Sequence, residues 1–307
     1  MQNKKQNQNQ NQSIHHEPVL LDAVVDILSP NSGERYLDLT AGYGGHASVI
    51  MERIGSEGDA TLVDRDEYAT EALSERFGSS ANIIKGDYAS VLSGIDGKFD
   101  MILADLGMSS PQLDNSNRGF SFRSSASLDM RMDSTQDLTA DMIVNSYSEA
   151  DLADLIYHFG EERQSRPIAR AIVDSRPIRD TKRLAEIIKK AYRGRSRIHP
   201  ATRTFQALRI AVNDELGQLK SALPRIEDKL APAGRVAIIS FHSLEDRIVK
   251  QFFRSSALLT PINKKVLQGK IEDVSNPRAR SAKLRGAIKN TNGHRSTKTG
   301  GIKTNRR

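Results

Sequence analysis

The alternation of short apolar runs and amphipathic segments predicts a parallel sheet covered by helices. Four β-rich runs occupy residues 35–40, 60–63, 82–85 and 99–104. The segments between the first three, such as 68–77, have helical periodicity. Strand, helix and strand at this spacing are typical of βαβ units, in which helices cover both faces of the sheet. A further strand is predicted at 235–241, more than a hundred residues later.

The stretch before that last strand has a helical pattern. Ser148, with Asp151 three residues later, predicts a capped helix start. Apolar residues then recur at helical spacing, at Leu152, Leu155, Ile156 and Phe159, at Leu184, Ile187, Ile188 and Ala191, and at Phe205, Leu208, Val212, Leu216 and Leu219. We predict an inserted helical substrate domain at 113–217, an α/β domain in two parts at 15–112 and 218–290, a disordered polar leader at 1–14 and a disordered basic tail at 291–307.

Composition and charge narrow the class of protein. The chain has no cysteine, which excludes disulfides and thiolate metal sites and favours a reducing compartment. Its apolar runs are far shorter than the roughly 18 residues of a membrane span, so we expect a cytoplasmic protein without a membrane partner. The net charge is +7, but residues 255–307 carry 13 Lys or Arg against two Asp or Glu. Such a tail suits a polyphosphate partner, or simply a solvated surface.

A glycine-rich loop follows the first predicted strand. Its residues and the acid before it are Asp38, Gly42, Gly44, Gly45 and His46. Glycines allow close approach of the backbone to a ligand, and the helix that follows offers free amides, which suits a dinucleotide or S-adenosylmethionine. The dinucleotide fingerprint needs a third glycine where Ala47 stands. An acid at position 38 can instead reach the amino group of a methionine moiety.

Two further residues complete the predicted cofactor site. The second strand ends at Asp64, where an acid can hold both ribose hydroxyls of an adenosine, although Asp66 could take that role. The third strand is followed by Tyr88, a flat residue that could lie against the adenine. Together with Asp38 and the glycine loop, in strand order, these residues predict S-adenosylmethionine as the cofactor.

The reacting group is predicted at the end of the fourth strand. Ligands of open α/β sheets bind beyond the carboxyl ends of the strands, and this strand ends at Asp105. The lone pair of a nucleobase amine is delocalised into the ring. A carboxylate that accepts the N–H bonds raises the electron density at nitrogen and orients the lone pair. We predict Asp105 as the catalytic residue, with a loop cap as the alternative, because the prolines that usually follow such an acid are missing.

The end of the late strand supplies candidate substrate contacts. Phe241 could stack on an extruded base, and His242 could contact the base or its phosphate, or form only a local hydrogen bond. Near the amino terminus, His15, His16 and Glu17 have the residue types of a metal site but no complete ligand set. We therefore predict no metal.

With these residues the chain resembles the bacterial ribosomal RNA small-subunit methyltransferase H family. The matching segments are residues 16–21, 44–46, 105–107, 109–114, 118–122, 128–133, 199–210, 240–250 and 276–285. The resemblance implies an α/β, class I (Rossmann-like) S-adenosylmethionine methyltransferase with an inserted all-helical domain. Its expected activity is methylation of the exocyclic N4 amine of a cytosine in 16S ribosomal RNA. The cofactor contacts implied by the resemblance are Gly44, Gly45, His46, Asp64, Tyr88, Asp105 and Gln112.

The chain departs from the family pattern at a few positions. Tyr88 stands where Phe is usual, and Ala47 where Ser is common. Residues 125–127 are Ser-Ala-Ser in place of a frequent Asp-Gly-Pro turn, which leaves the shape of that loop open.

Basic residues predict how 16S ribosomal RNA, within the small ribosomal subunit, is held. The candidates are Arg118, Arg195, Arg197, His199, Arg203, Lys283 and Arg285, with Phe241 and His242. A solvated basic face is the alternative. Methylation of DNA or of a protein amide, and a non-catalytic RNA-binding assembly factor, remain competing functions, whereas the glycine spacing disfavours a dehydrogenase.

Overall fold

The computed structural model describes residues 18–108, 118–263, 265–269 and 277–291. The strands in these residues are β1 (Arg35–Asp38), β2 (Asp59–Asp64), β3 (Asn82–Lys85), β4 (Phe99–Asp105), β5 (Leu230–Ser240), β6 (Leu259–Pro261), β7 (Leu267–Gln268) and β8 (Lys283–Lys289). The α-helices are α1 (Leu21–Leu28), α2 (Gly45–Ile54), α3 (Glu67–Phe77), α4 (Tyr88–Gly94), α5 (Ala140–Ser146), α6 (Glu149–Gly160), α7 (Ser165–Asp174), α8 (Thr181–Ala191), α9 (Ala201–Asn213), α10 (Glu215–Lys229) and α11 (Ser243–Ser255). The five predicted strands and the helix at 68–77 are confirmed.

All strands belong to one sheet, in the order β3-β2-β1-β4-β5-β8-β6, with β7 also paired to β8. The first five strands are parallel, and β8 is antiparallel to β5. Parallel strands place their carboxyl ends at one edge of the sheet, where ligands of such folds bind. The last three strands were not predicted. In β8 the charged Lys283 and Arg285 and the central Gly286 hide the strand pattern, and a Cβ on Gly286 would lie 2.5 Å from Ile27 of α1.

The sheet separates two apolar layers. Alternate side chains of a strand point to opposite faces, so Tyr36 packs with α1, α2 and α3, while its neighbour Leu37 packs with α4, α10 and α11. Both residues are fully buried. Strands buried on both faces read as continuous apolar runs, which is why the sequence predicted them well. Among the described helices, none combines the length and the apolar character needed to cross a bilayer.

The described residues between β4 and β5 include helices α5 to α9, which share a hydrophobic core of their own. Buried residues from Phe120 to Val212 pack together in one cluster, distinct from the two clusters on the sheet. The predicted cap is confirmed, since Ser148 Oγ accepts a hydrogen bond from the amide of Asp151 at 3.1 Å. The apolar pattern of 205–219 spans two helices, because Asp214 has a left-handed conformation with φ of 46°. The domain limits at 112/113 and 217/218 stay a prediction.

Candidate active site

Three aspartates end neighbouring strands at the carboxyl edge of the sheet. Asp38 ends β1, Asp64 ends β2 and Asp105 ends β4. Asp38 is level with Leu62 of β2 and with Leu103 of β4. Asp64 and Asp105 each lie two residues beyond that level, about 7 Å at the rise of a strand. The topology therefore brings together the three acids that the sequence selected.

The glycine loop joins β1 to α2 in a conformation that depends on its glycines. Gly42 and Gly44 have φ of +53° and +79°, in the left-handed region that L-residues disfavour. A Cβ on Gly44 would lie 2.5 Å from the ring of Phe77, and one on Gly45 would lie 2.8 Å from Pro18. The loop is thus packed from outside by Pro18 and Phe77. The Gly42 amide donates to Asp64 Oδ2 at 2.8 Å and the Gly44 amide to the Ala41 carbonyl at 2.8 Å, which fixes the course of the loop.

Asp38 is buried, 1% exposed, and both carboxylate oxygens accept hydrogen bonds. The Tyr36 hydroxyl donates to Oδ2 at 2.7 Å and the Thr40 amide to Oδ1 at 3.1 Å. Burial raises the pKa of Asp38 to about 6; the Tyr36 hydroxyl and the nearby His46 lower it, and the Asp105 carboxylate raises it. A cationic ligand group would stabilise the ionised form, because burial disfavours an isolated charge.

Asp64 holds the glycine loop and the start of α3. Its Oδ2 accepts from the Gly42 amide at 2.8 Å and its Oδ1 from the Asp66 amide at 2.9 Å. Burial raises the pKa of Asp64, while these two amide bonds lower it. A carboxylate has about four acceptor positions, so the same oxygens can also accept ribose hydroxyls. Asp66, the alternative, instead accepts from the Tyr68 amide at 3.2 Å as the N-cap of α3.

Asp105 ends β4 and is followed by a glycine that packs against an aromatic ring. Its amide donates to Thr40 Oγ1 at 2.6 Å, which ties the ends of β4 and β1 together. Two residues later, a Cβ on Gly107 would lie 3.2 Å from the ring of Phe241, and Gly107 itself has φ of +94°. Glycine at position 107 therefore suits both this backbone conformation and the close packing of the Phe241 ring. The structure places the predicted reacting acid and the predicted stacking ring at the ends of adjacent strands.

A buried ionic cluster supports the end of β5. His242 caps α11, its Nδ1 accepting from the Glu245 amide at 3.4 Å, and Glu245 Oε2 accepts from the Phe241 amide at 2.9 Å. Burial by itself raises the pKa of Glu245. His242 and Arg209 lower it by more than burial raises it, so the pKa lies below its usual value. Ligand atoms of Glu215, His242 and Glu245 lie within 4.8 Å of one another. Arg209 already supplies a cation there, bonded to Glu215 at 2.7 and 2.8 Å.

The remaining predicted cofactor residues differ in their surroundings. His46 is buried, with Nε2 3.0 Å from the Val19 carbonyl oxygen, so its ring packs under the glycine loop. Tyr88 begins α4 after Asp87, whose side chain caps the helix. Burial raises the pKa of Tyr88 well above its usual range, so its hydroxyl stays neutral. Gln112, like His15, His16 and Glu17, lies outside the described residues.

Four of the predicted RNA contacts lie in one segment before or at the start of α9. Arg195, Arg197, His199 and Arg203 are all exposed. His199 stacks on Phe122, with ring centroids 4.7 Å apart. Arg203 donates to the Glu161 carbonyl at 3.4 Å, and the Glu161 side chain contacts Ser243 and Arg247 at the start of α11. Through Glu161 the basic segment is linked to the end of β5 that carries Phe241 and His242.

Four of the predicted RNA cations are paired with carboxylates, including Arg203, whose Nη1 lies 3.6 Å from Oε2 of the buried Glu162. Arg285 Nε lies 2.7 Å from Asp246 Oδ1, and Lys283 Nζ lies 3.7 Å from Asp246 Oδ2. Arg118 forms an ion pair with Asp66, with side chains 17% and 4% exposed. Each of these cations therefore has a protein partner, which the sequence did not reveal.

The three carboxylates at the carboxyl edge of the sheet distinguish between the two candidate cofactors, a dinucleotide and S-adenosylmethionine. Asp38, Asp64 and Asp105 would repel the pyrophosphate of a dinucleotide, and they would attract the ammonium and sulfonium groups of S-adenosylmethionine. At Gly44 and Gly45 the loop has no room for a Cβ, and glycines at these positions allow a ligand to approach the backbone closely. The residues present fit this cofactor. Fold and site together define a Rossmann-like class I methyltransferase that uses S-adenosylmethionine.

Comparison with known proteins gives the family. Residues 13–290 match the MraW methylase family, and the chain belongs to that family. Proteins named "Ribosomal RNA small subunit methyltransferase H" are similar over most of the chain. The one from Synechocystis sp. is 50% identical over 288 residues, 90% of this chain and 94% of that protein, and the one from Deinococcus radiodurans is 47% identical over 285 residues, 89% of each. An rRNA methylase structure from Streptococcus thermophilus has a TM-score of 0.42 at 10% identity, covering 88% of this chain and 93% of that one, too weak a likeness to add to the argument.

Several residues that build the site were missed by sequence reasoning. Thr40 orients Asp105, and Glu245 holds the Phe241 amide. Arg209 lies in a segment that carried the family resemblance, but nothing local indicates its bond to Glu215 six residues later across a helix break. A signal for Glu245 was available, because an acid three residues after the N-cap His242 is a capping-box spacing.

Proposed function

We propose that this protein transfers a methyl group from S-adenosylmethionine to the exocyclic N4 amine of a cytosine in 16S ribosomal RNA of the small ribosomal subunit. The observation that carries the proposal is Asp105 at the carboxyl end of β4, next to the end of β5 that is followed by Phe241. The names of the relatives support small-subunit ribosomal RNA as the substrate. The amine of cytosine is the finer part of the proposal and rests on the resemblance and on Asp105.

In this proposal Asp105 prepares the amine nitrogen. S-adenosylmethionine supplies an electrophilic methyl group on a sulfonium. The Asp105 carboxylate accepts an N–H of the amine, so that electron density at nitrogen rises and the lone pair is held in line with the methyl group. Phe241 stacks on the extruded base, and its own position is held by Gly107 and by Glu245.

The cofactor contacts proposed are Asp38, Gly42, Gly44, Gly45, His46, Asp64, Tyr88, Asp105 and Gln112. Asp38 holds the ammonium group, because its carboxylate is buried and a cationic ligand group would stabilise its ionised form. Asp64 holds the ribose hydroxyls, and the Tyr88 ring lies against the adenine. Since the His46 ring contacts the Val19 carbonyl, its contribution to cofactor binding is through the backbone amide at the start of α2.

The helical region at 113–217 is proposed as the substrate domain. Its exposed residues Arg195, Arg197, His199 and Arg203 hold phosphates beside the extruded cytosine, since their segment is linked through Glu161 to the end of β5. We also propose that the enzyme is cytoplasmic and that it needs neither a metal nor a membrane.

The test is transfer of labelled methyl from S-adenosylmethionine to small-subunit particles from cells that lack this activity, followed by nucleoside analysis. We expect label in N4-methylcytidine with wild-type protein and a strongly reduced signal with Asp105→Asn. Naked 16S RNA, large subunits and DNA are the parallel substrates. Label in another nucleoside, in DNA or in ribosomal protein would contradict the proposed acceptor. Absence of label with every substrate, despite cofactor binding, would favour a non-catalytic assembly factor.

A further inference from the structure

Arg118 bridges two parts of the molecule that are distant in sequence. Its Nη1 donates to the Asp66 carboxylate on the α3 side, and its Nη2 donates to the carbonyls of Arg131 at 3.0 Å and Met132 at 2.8 Å. The side chain is only 17% exposed, and its guanidinium also lies 5.7 Å from the Phe120 ring. Three protein acceptors around one guanidinium leave little of it for a phosphate.

The Asp66 end of this bridge leads directly to the cofactor site. Asp66 is 3% exposed, and its amide donates to Asp64 Oδ1, while the Gly42 amide donates to Asp64 Oδ2. The chain of contacts therefore runs from Arg118 through Asp66 and Asp64 to the glycine loop. Tyr43 of that loop responds to the same charges: burial raises its pKa, Asp66 and Asp64 raise it further, and Arg118 opposes them.

The other end leads into the helical region. The Met132 amide donates to Asn213 Oδ1 at 2.8 Å, and Asn213 Nδ2 donates to the Met130 carbonyl at 2.8 Å. Asn213 is the last residue of α9, the helix that begins beside the exposed basic segment. The peptide groups that Arg118 holds are thus fixed to the core of the helical region.

We propose that Arg118 is a positioning residue for the cofactor site, which holds Asp64 and the glycine loop in a fixed relation to the helical region. A planar guanidinium is suited to this because its fork of donors reaches a carboxylate on one side and two carbonyls on the other. Loss of the cation leaves the buried Asp66 carboxylate in an unfavourable environment, so the loop from 64 to 66 shifts. The proposal rests on the proposed function only in that S-adenosylmethionine is the ligand.

The two possible functions of Arg118, positioning the cofactor site and contacting an RNA phosphate, predict different results. As a positioning residue it should control cofactor affinity and leave the salt dependence of RNA binding unchanged. As a phosphate contact it should do the reverse, since each lost contact flattens that dependence by about 0.7 to 0.9 log units per log unit of salt.

The experiment compares Arg118→Met and Arg118→Lys with Arg131→Met, using the full chain and S-adenosylhomocysteine as the calorimetric probe. Arg131 is a matched control in the same segment, because it pairs with Asp129 and donates to the Ser134 and Gln136 carbonyls. The contacts of its side chain stay within the helical region, and its backbone carbonyl, which accepts from Arg118, is kept in the variant. We expect Arg118→Met to weaken binding about fivefold or more, Arg118→Lys to be intermediate, and Arg131→Met to bind like wild type.

Asp66→Asn provides a second variant if Arg118→Met does not fold. It keeps an N-cap acceptor and removes the charge, so it should weaken binding to a similar extent, and combining it with Arg118→Lys should add little. Melting temperatures, measured alongside, should fall comparably for Arg118→Met and Arg131→Met. Cofactor affinity is therefore the readout that a merely structural role would not move.

The outcomes are distinct. Wild-type protein that fails to bind the probe would reject the proposed function. If the wild-type protein binds the probe and all Arg118 and Asp66 variants bind it with the same affinity, the positioning role is overturned. An equal loss of affinity in Arg131→Met would also overturn it. A flattened RNA salt dependence in Arg118→Met, with unchanged cofactor affinity, would return Arg118 to the RNA contacts.

Discussion

The carboxyl edge of the sheet and the basic segment before α9 differ in charge, burial and organisation. At the edge, Asp38 and Asp64 are held by hydrogen bonds from nearby backbone amides and from Tyr36. In the basic segment, Arg195 and Arg197 extend from an exposed loop between α8 and α9. The first region is preorganised for a small ligand, and the second presents exposed charges on long side chains.

The difference follows from the two ligands proposed. A small cationic cofactor is recognised by fixed, buried acceptors, because each misplaced group loses a specific bond. A polyphosphate is attracted through released counterions, which requires charge density rather than exact geometry. The two regions should therefore respond to mutation independently, and the following predictions test that independence.

Asp105→Asn should have the largest effect, mainly on chemistry. We expect single-turnover methylation at saturating cofactor to fall by about 10² or more, within the range for a positioned proton acceptor, while the melting temperature and the RNA affinity stay near wild type. Rapid-quench measurements with saturating enzyme provide the rate. Thr40→Val, which removes the hydroxyl that the Asp105 amide contacts, should give a smaller loss. Equal turnover in wild type and Asp105→Asn would leave Asp105 as a loop cap.

Replacing Arg195, Arg197 and Arg203 together with Gln should weaken RNA binding by about a hundredfold at 0.1 M salt and reduce the salt slope by about two to three units. Cofactor affinity should not change. The matched control replaces Arg53, Lys98 and Arg225, exposed cations near the opposite edge of the sheet, and removes the same charge. If both triple variants lose equal affinity, net charge rather than this segment controls binding. Wild-type affinity across the salt series would reject the RNA contacts.

Asp64→Ala should weaken S-adenosylmethionine binding about tenfold, within a range from several-fold to a hundredfold, because it removes a charged acceptor. RNA affinity should stay at the wild-type value, which sharpens the contrast between the two regions. Isothermal calorimetry measures the cofactor, and filter binding measures the RNA. Since Asp64 also holds the glycine loop, Asp64→Asn serves as the conservative variant. Unchanged calorimetric affinity in both variants would reject the ribose assignment.

The smallest expected effect is a pH dependence of cofactor affinity, which RNA affinity should not share. With a pKa of about 6 in the free protein, Asp38 is mostly protonated at lower pH, whereas an ammonium group favours its ionised form. Cofactor binding should therefore release a proton near pH 6, and affinity should rise about twofold from pH 6 to pH 7 and then level off. Calorimetry in buffers of different ionisation enthalpy counts the proton. A profile with the same slope in Asp38→Asn would assign the titration elsewhere.

Individual elements show how far the sequence could predict the molecule. The strand at 82–85 was predicted with its observed bounds, although it is an edge strand whose two isoleucines are only half-buried and whose ends, Asn82 and Lys85, are exposed. The strand at 235–241 was found, but β5 begins earlier, at Leu230, where Ala233 has a φ of 62° and interrupts the pattern. The helix break at Asp214 was not visible, since apolar residues continue at helical spacing across it.

Local patterns in the sequence determined the strands, the glycine loop and the acids at the strand ends, because backbone preference and side-chain periodicity act over a few residues. The tertiary structure alone decided which cations face solvent. Arg118 pairs with Asp66, 52 residues away, and Arg285 with Asp246, 39 residues away, whereas Arg195 and Arg197 stay exposed. A charge is recognised by whatever the fold places within a few ångströms of it. The number of residues between two charges in the sequence does not indicate how far apart they lie in the folded protein.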